Sequence, residues 1–514
     1  MFFFSILNTR LPPLAWVVSI DYLSDRIKLL HGKSVVVSPD GFVEGAWSGD
    51  FNINSFRSAE YVIGSGGWIE AGKLKLRTST HTLERLWLLK TKNGVYVSNS
   101  LPFLLAESNA ALDLKYPYYE ADFLSFTLGP KGIKQNMPLL RGLKLNNYID
   151  GLITINKSLD VRFCVNCEAR EFRSYDEYRD HLSTYSHDIV TNALRKGRPT
   201  TYQALATISR GYDSPACSVL AQECGANRGI TFSEAREGYL DSIDDGEEIG
   251  LQLGLKVMKF DRKAYQRGDG SAELCFLASG GGAEDIVFAA AESILSGTIL
   301  FTGFLGDTLW GLHSNHHRSL EGCIAFPGGG SIGEFRLQCD FLHLPIPILN
   351  LRSHSSIKAI SNSSEMIPWR LGSIYDRPIP RRIAESAGIS RESFGSNKMA
   401  VTMPMYYDDQ PLNQMLGDYA LKDFYEFVDV RMKKEFICFS NRFTSFLNQS
   451  FYWVRQRIVW RLSKYPIFNC VIDWVRPNYS DHGRRSLSIS LLLITWAVER
   501  LAEKYRLLLL PNKS

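Results

Sequence analysis

At 514 residues the chain is longer than one hydrophobic core usually organises, so two domains are expected. Apolar residues make up 45% and charged residues 22%, the balance of a globular fold and not of a disordered or fibrous chain. Lys and Arg outnumber Asp and Glu by only 58 to 54, a net charge of +4 with no basic block, which argues against nucleic acid as a partner.

Met1, Phe2, Phe3, Phe4, Ile6 and Leu7 form an apolar opening without a basic stretch or a small-residue cleavage site, so a first strand is expected, not a secretory signal. The other long apolar run, 491–498, is too short to span a bilayer and passes into Glu499 and Arg500, so no membrane partner is expected. Nine cysteines at irregular spacing suggest reduced thiols and a cytoplasmic setting. Cys164-Val165-Asn166-Cys167 is a lone CxxC, read as small residues near a domain boundary. Up to about residue 158 the pattern is short strands and turns. Asn93-Gly94 and Asp150-Gly151 sit between β-prone runs and predict hairpins joining 86–89 to 95–97 and 143–149 to 152–155.

From 170 to 196 the periodicity turns helical, with Tyr178, Leu182, Tyr185 and Ile189 on one face. The apolar run 202–208 then leads into Ser209-Arg210-Gly211-Tyr212-Asp213-Ser214, and a helical stretch, 215–223, leaves it. A strand, a tight Ser/Gly loop and a helix make an anion cradle, because loop amides and the helix N-terminus present unpaired N–H donors and a positive dipole end. Gly211 allows close backbone approach, Ser209 and Ser214 offer hydroxyls, and Asp213 beside phosphates makes sense with a divalent cation between them. Strands are expected at 227–232, 255–260 and 298–302, with helices at 243–253 and 282–295 between them. Alternation of this kind predicts a parallel sheet with ligand at the carboxyl ends of its strands. Asp244, Asp245, Glu247 and Glu248, and likewise Glu284 and Asp285, read as acidic first turns of those helices. His313, His316 and His317 read as a solvated loop, and Gly328-Gly329-Gly330 as a mobile segment. Past residue 398 the chain reads as amphipathic helix, ending with 487–505.

The Ser-Arg-Gly-Tyr-Asp-Ser loop resembles the Ser-Gly-Gly-x-Asp-Ser pyrophosphate loop of the ATP-pyrophosphatase superfamily, with Arg210 in place of the second residue, Gly. Gly303-Phe304-Leu305-Gly306-Asp307-Thr308-Leu309-Trp310-Gly311 is similar to the aspartate segment of that superfamily's asparagine synthetase and β-lactam synthetase branch, with Thr308 where a Glu is usual. The resemblance covers roughly 202–398. It implies an α/β fold, a C-terminal doubly wound parallel sheet of the adenine nucleotide alpha hydrolase type with a helical tail. Before it stands a sheet-rich α+β domain resembling an Ntn-type glutaminase. The implied boundaries are 1–165, 166–400 and 401–514. The first cysteine is Cys164, so the front domain is expected to have lost glutamine hydrolysis.

By the same resemblance ATP and Mg²⁺ are the cofactors. Asp213 and Asp307 are the metal and catalytic carboxylates, and Lys398 is the candidate lysine that steadies developing charge. Ser209, Arg210, Gly211, Tyr212, Ser214, Phe232, Ser233, Gly303 and Gly306 line the nucleotide. The implied activity is amide formation: adenylation of a substrate carboxylate, on a small molecule or peptide, followed by capture with ammonia or an amine. A homodimer is allowed. Two alternatives stay open: another ATP-pyrophosphatase reaction that activates a carbonyl oxygen, and a non-catalytic nucleotide-binding scaffold.

Overall fold

In β2 (Trp16–Asp21) the residues Trp16, Val18 and Ile20 face one core while Val17 faces another, the period-two alternation of a strand buried on both sides. The computed structural model describes residues 2–435 and 489–511, apart from 23–25, 117, 167–168, 236–243, 281, 313–323, 325–326, 374, 396–399, 404 and 406–411. The remaining strands of the N-terminal half are β1 (Phe2–Leu7), β3 (Arg26–His31), β4 (Val36–Ser38), β5 (Gly41–Trp47), β6 (Val62–Glu70), β7 (Lys73–Arg77), β8 (Leu86–Lys90), β9 (Gly94–Ser98), β10 (Met137–Pro138), β11 (Lys144–Tyr148), β12 (Gly151–Ile155) and β13 (Val161–Val165). They form a seven-stranded sheet, β1-β3-β2-β9-β8-β11-β10, and a six-stranded one, β13-β12-β7-β6-β5-β4. Trp16, Leu86, Leu88 and Val97 from the first pack against Phe42, Leu74, Leu76 and Ile153 from the second. The first apolar run is a strand, as its composition predicts.

Asn93-Gly94 joins β8 to β9 as an antiparallel hairpin, with Trp87 opposite Ser98. Asp150-Gly151 does not make one. β11 pairs with β8 in the first sheet, whereas β12 pairs with β7 and β13 in the second, so the chain crosses between sheets at this point. Asp150 does adopt a positive φ of 48°, the conformation its residue type tolerates. Turn chemistry sets the local reversal, and the choice of neighbouring strand belongs to distant residues.

The second half holds a parallel sheet built from β14 (Gln203–Thr207), β15 (Arg228–Phe232), β16 (Lys256–Phe260), β17 (Thr298–Thr302) and β18 (Leu342–Pro345), in the order β16-β15-β14-β17-β18. The chain steps outward from β14 to β16, then returns to the other side of β14, so its direction reverses between β14 and β17. The helix Tyr175–Ala193 precedes the sheet and buries Tyr178, Leu182, Tyr185 and Ile189. The helix expected over 282–295 is broken into a 3₁₀ turn, Ile286–Ala291, and one α turn, Glu292–Leu295. Ala283 has a φ of 52°, which no right-handed helix accommodates.

The last helix, Ile489–Leu509, packs chiefly on helix Ser271–Ala278 and on helix Leu101–Glu107 of the N-terminal half. Tyr505 stacks on Phe103 with ring centroids 4.7 Å apart. Among the described residues no helix is long and apolar enough to cross a membrane. Cys164, Cys217, Cys224, Cys275 and Cys339 are free thiols, and Cys167 lies outside the described residues.

Glu334 ties these parts together. The Ser100 hydroxyl, which also caps helix Leu101–Glu107, donates to its carboxylate at 3.0 Å. Burial pushes its acid up to about 7, against the hydrogen bond from Ser100. The folded chain therefore holds a proton here that the unfolded chain loses near its ordinary value of 4.5. The contribution of this group to stability declines as pH rises from 4.5 and is fully unfavourable above about 7, by about 3 kcal/mol. Glu334→Gln is expected to melt higher than the native chain at pH 8, with the difference shrinking at pH 5. Parallel melting curves at the two pH values would count against this if the gap did not change.

Candidate functional site

The carboxyl ends of β14 and β17 lie side by side, with Ala206 in register with Phe301 and the Thr207 hydroxyl donating to the Phe301 carbonyl at 2.8 Å. The loops that leave them, 208–212 and 303–305, consequently start at one level. Helix Asp213–Glu223 begins two residues before the expected start, which puts Asp213 in its first turn, where the helix dipole favours a negative charge. A Cβ built on Gly303 would lie 2.7 Å from the Asp213 carbonyl carbon and 2.9 Å from the Ser214 nitrogen. One built on Gly306 would lie 2.7 Å from both the Asp213 Cβ and Oδ1. These glycines let the Asp307 loop close onto the Asp213 loop. Leu305, between them, holds a φ of 62°, a strained setting for a branched side chain.

Inside the first loop, the Ser209 and Ser214 hydroxyls are 2.7 Å apart and the Gly211 amide donates to Ser209 Oγ at 3.3 Å. The Arg210 amide donates to the Asp244 carboxylate at 3.1 Å. Asp244 is thus no first-turn charge, since its helix starts at Glu247. It turns back because Gly246, whose amide bonds the Thr231 hydroxyl at 2.8 Å, packs directly on the Ile208–Ser209 backbone.

A third segment covers the loop. Tyr375 stacks on Tyr212 at 5.0 Å, and its hydroxyl lies 3.2 Å from where a Gly211 Cβ would be. The Arg377 guanidinium lies over the Tyr375 ring at 4.5 Å and ion-pairs with Asp213. Burial works against the Arg377 charge, but Asp213, then Tyr375 and Asp307, outweigh it and hold its pKa above the ordinary value. Farther along, the Gly395 amide donates to the Arg210 carbonyl at 2.8 Å and Phe394 packs on Tyr212. The chain just before Lys398 therefore does return to the loop; Lys398 itself lies outside the described residues.

The chain matches no model of a protein family and no curated protein.

The structure brings Ser209, Arg210, Gly211, Tyr212, Asp213, Ser214, Gly303, Gly306 and Asp307 together. Phe232 ends β15, the neighbour of β14, and is buried against Phe288, while the Ser233 amide donates to the Phe260 carbonyl at 3.3 Å. Thr308 is buried in the short helix Gly306–Trp310. Glu284 and Asp285 open no regular helix. The Asp285 carboxylate instead accepts the Gly329 amide at 3.0 Å and the Ser331 hydroxyl at 2.6 Å, so it pins the glycine turn read from sequence as mobile. His313, His316 and His317 lie outside the described residues. Among the described residues no group of three or more His, Cys, Asp and Glu side chains is placed to hold a metal ion. A divalent cation at Asp213 and Asp307 would draw its remaining oxygen ligands from phosphate or water, as Mg²⁺ commonly does. Sequence reasoning gave Asp244 only as a first-turn charge and assigned no site role to Tyr375, Arg377 or Gly246, since each reaches the loop from far along the chain.

Proposed function

We propose that this chain is an ATP-dependent, AMP-forming ligase of the ATP-pyrophosphatase type, related to asparagine synthetases and β-lactam synthetases. A doubly wound nucleotide-binding domain would occupy 166–400, the helical extension 401–514, and a front domain 1–165 of glutaminase type would no longer hydrolyse glutamine. The observation that carries this reading is the meeting of the Ser209–Ser214 loop and the Asp307 loop at adjacent strand ends, where the strand order reverses. In open parallel sheets that crevice is where ligands bind. Ser209, Ser214 and the loop amides would face the phosphates, and Asp213 and Asp307 would hold Mg²⁺, which supplies charge neutralisation for the pyrophosphate leaving group. A substrate carboxylate displaces pyrophosphate from ATP, and ammonia or an amine then displaces AMP to leave an amide. Arg377, ion-paired with Asp213, is one fixed cation at the loop, and Lys398 is proposed as a second.

The test is AMP release from ATP across a panel of carboxylic acids, with hydroxylamine as trap. AMP with a hydroxamate supports amide synthesis, whereas AMP without one points to activation of a carbonyl oxygen. No AMP with any acid would leave a non-catalytic scaffold, a second reading favoured by the ion pair that already occupies Asp213.

Gly306→Ala tests the closeness of the two loops. The added methyl must push the Asp213 carboxylate aside, so any stabilisation by Mg²⁺-ATP in thermal melts is expected to disappear, at a cost to the unliganded fold of about 1–3 kcal/mol. An alanine variant that melts and responds to nucleotide like the native chain would remove the glycine from the site.

A further inference from the structure

The two loops are charge-compensated from within the chain on both sides. On the cation side, the Arg377 guanidinium, on a residue only 7% exposed, pairs with Asp213 and feels the charge of Asp307. On the anion side, the carboxylate of Asp244, a residue 3% exposed, accepts the Arg210 amide at 3.1 Å. A guanidinium thus rests on Asp213, where a divalent cation would sit, and a carboxylate rests on the amide where a phosphate oxygen would sit.

Resting on the nucleotide-site reading above, we infer that Arg377 and Asp244 are internal counter-ions that make the site admit a divalent cation and a polyphosphate together and neither one alone. A cation arriving alone must drive Arg377 off Asp213 and leave a buried guanidinium without its anion, which is strongly unfavourable. A polyphosphate arriving alone must expel Asp244 and bring negative charge up to Asp213 and Asp307. When both arrive, Asp213, Asp307 and Arg377 all exchange partners, and the metal offsets the negative charge that the polyphosphate brings. The metal takes the two carboxylates, Arg377 turns to a phosphate, for which its planar fork is suited, and the loop amide passes from Asp244 to a phosphate oxygen. Binding of each ligand then raises affinity for the other by one shared factor. Arg377 and Asp244 are binding and positioning residues in this scheme.

The probes are Mn²⁺, followed by its electron paramagnetic resonance signal, and α,β-methylene-ATP, both with the full chain. Native protein is expected to bind Mn²⁺ at least a hundredfold more weakly alone than when saturated with the analogue. In Arg377→Gln, Mn²⁺ alone should bind at least tenfold more tightly than to native protein, and that gain should vanish in Arg377→Gln with Asp213→Asn. Asp244→Asn serves as the independent arm should the arginine variant fold poorly: it should bind the metal-free analogue at least tenfold more tightly while Mn²⁺ alone binds as weakly as before. Native protein that takes up Mn²⁺ alone as well as Arg377→Gln does, or variants that leave both affinities unmoved, would overturn the counter-ion assignment while leaving the nucleotide site in place. If the native chain takes up neither Mn²⁺ with analogue nor analogue alone, the nucleotide reading falls and this inference with it.

Discussion

Asp213→Asn is expected to abolish the thermal stabilisation that Mg²⁺-ATP confers on the native chain and to bring AMP formation below detection. The substitution keeps the shape of the side chain and removes its charge. Two things follow from its position. Asp213 opens helix Asp213–Glu223, with Gly303 packed on its backbone and Gly306 on its carboxylate, so the second loop holds this acid in place from both sides. It is also the partner of Arg377, so the neutral variant leaves that guanidinium without its ion pair. A ligand that binds only the folded state adds about 2.7 kcal/mol at a hundredfold excess over its dissociation constant. Comparing melts with and without nucleotide within each variant cancels the cost of the lost ion pair, leaving the binding term. Asp245→Asn is the matched control, since Asp245 pairs with Lys259 on the surface and should keep the full response. An undiminished response in Asp213→Asn would remove the metal role from this residue.

Arg336→Met is expected to be the most damaging single substitution for folding, by about 3–5 kcal/mol. Helix Gly333–Cys339 carries Arg336 into the junction between the N-terminal half and the parallel sheet. There its Nη1 and Nη2 donate to both oxygens of Glu44 at 2.9 and 3.1 Å, and its Nε faces Glu84 at 2.9 Å. All three side chains are nearly inaccessible, at 4%, 0% and 11% exposure, so solvent does not screen them. Burial opposes ionisation of Glu84, and Arg336, then His81, outweigh it and keep the acid below its ordinary value. Methionine fills much of the arginine's volume but abandons two buried carboxylates, and the neighbouring His81, held down to about 4 by burial, offers no ready replacement charge. Glu44→Gln should cost much less, because Arg336 retains Glu84. Urea midpoints for the two variants give the comparison, and a loss below about 1 kcal/mol for Arg336→Met would show that water reaches the cluster.

Much of the fold was legible because it is written in local periodicity. The strand Thr298–Thr302 matches its expected bounds, and the helix Tyr175–Ala193 follows directly from four apolar residues at helical spacing. The loop at 209–214 was legible for a similar reason: a strand, a Ser/Gly turn and a helix are each local, and their order alone makes an anion cradle. The proximity of Asp213 and Asp307 needed one further step, that parallel strands end on one side of a sheet. Where the pattern is short the reading fails. β18 is only four residues, Leu342–Pro345, includes a histidine and ends in proline, so nothing in its composition announces the fifth strand. The helix expected over 282–295 fails because Asp285 is drawn to the Gly329 turn, and no pattern within the helix itself records that pull.

The amino-acid sequence by itself determined that this is a mixed α/β chain, with sheet in front and alternating strands and helices behind, and it determined which short loops could approach an anion. Those properties depend on side-chain period, on glycine's freedom and on turn-forming residue types, all of which act within a few residues. Only the tertiary structure decided that Asp150-Gly151 crosses between sheets, that Arg377 seats itself on Asp213, that Asp244 fills the loop amide, and that Arg336 holds the two halves through Glu44 and Glu84. Each of these joins residues that are far apart in the chain or reverses a local preference. Burial and charge are satisfied by whatever partner the folded chain delivers, and sequence distance places no mark on that choice.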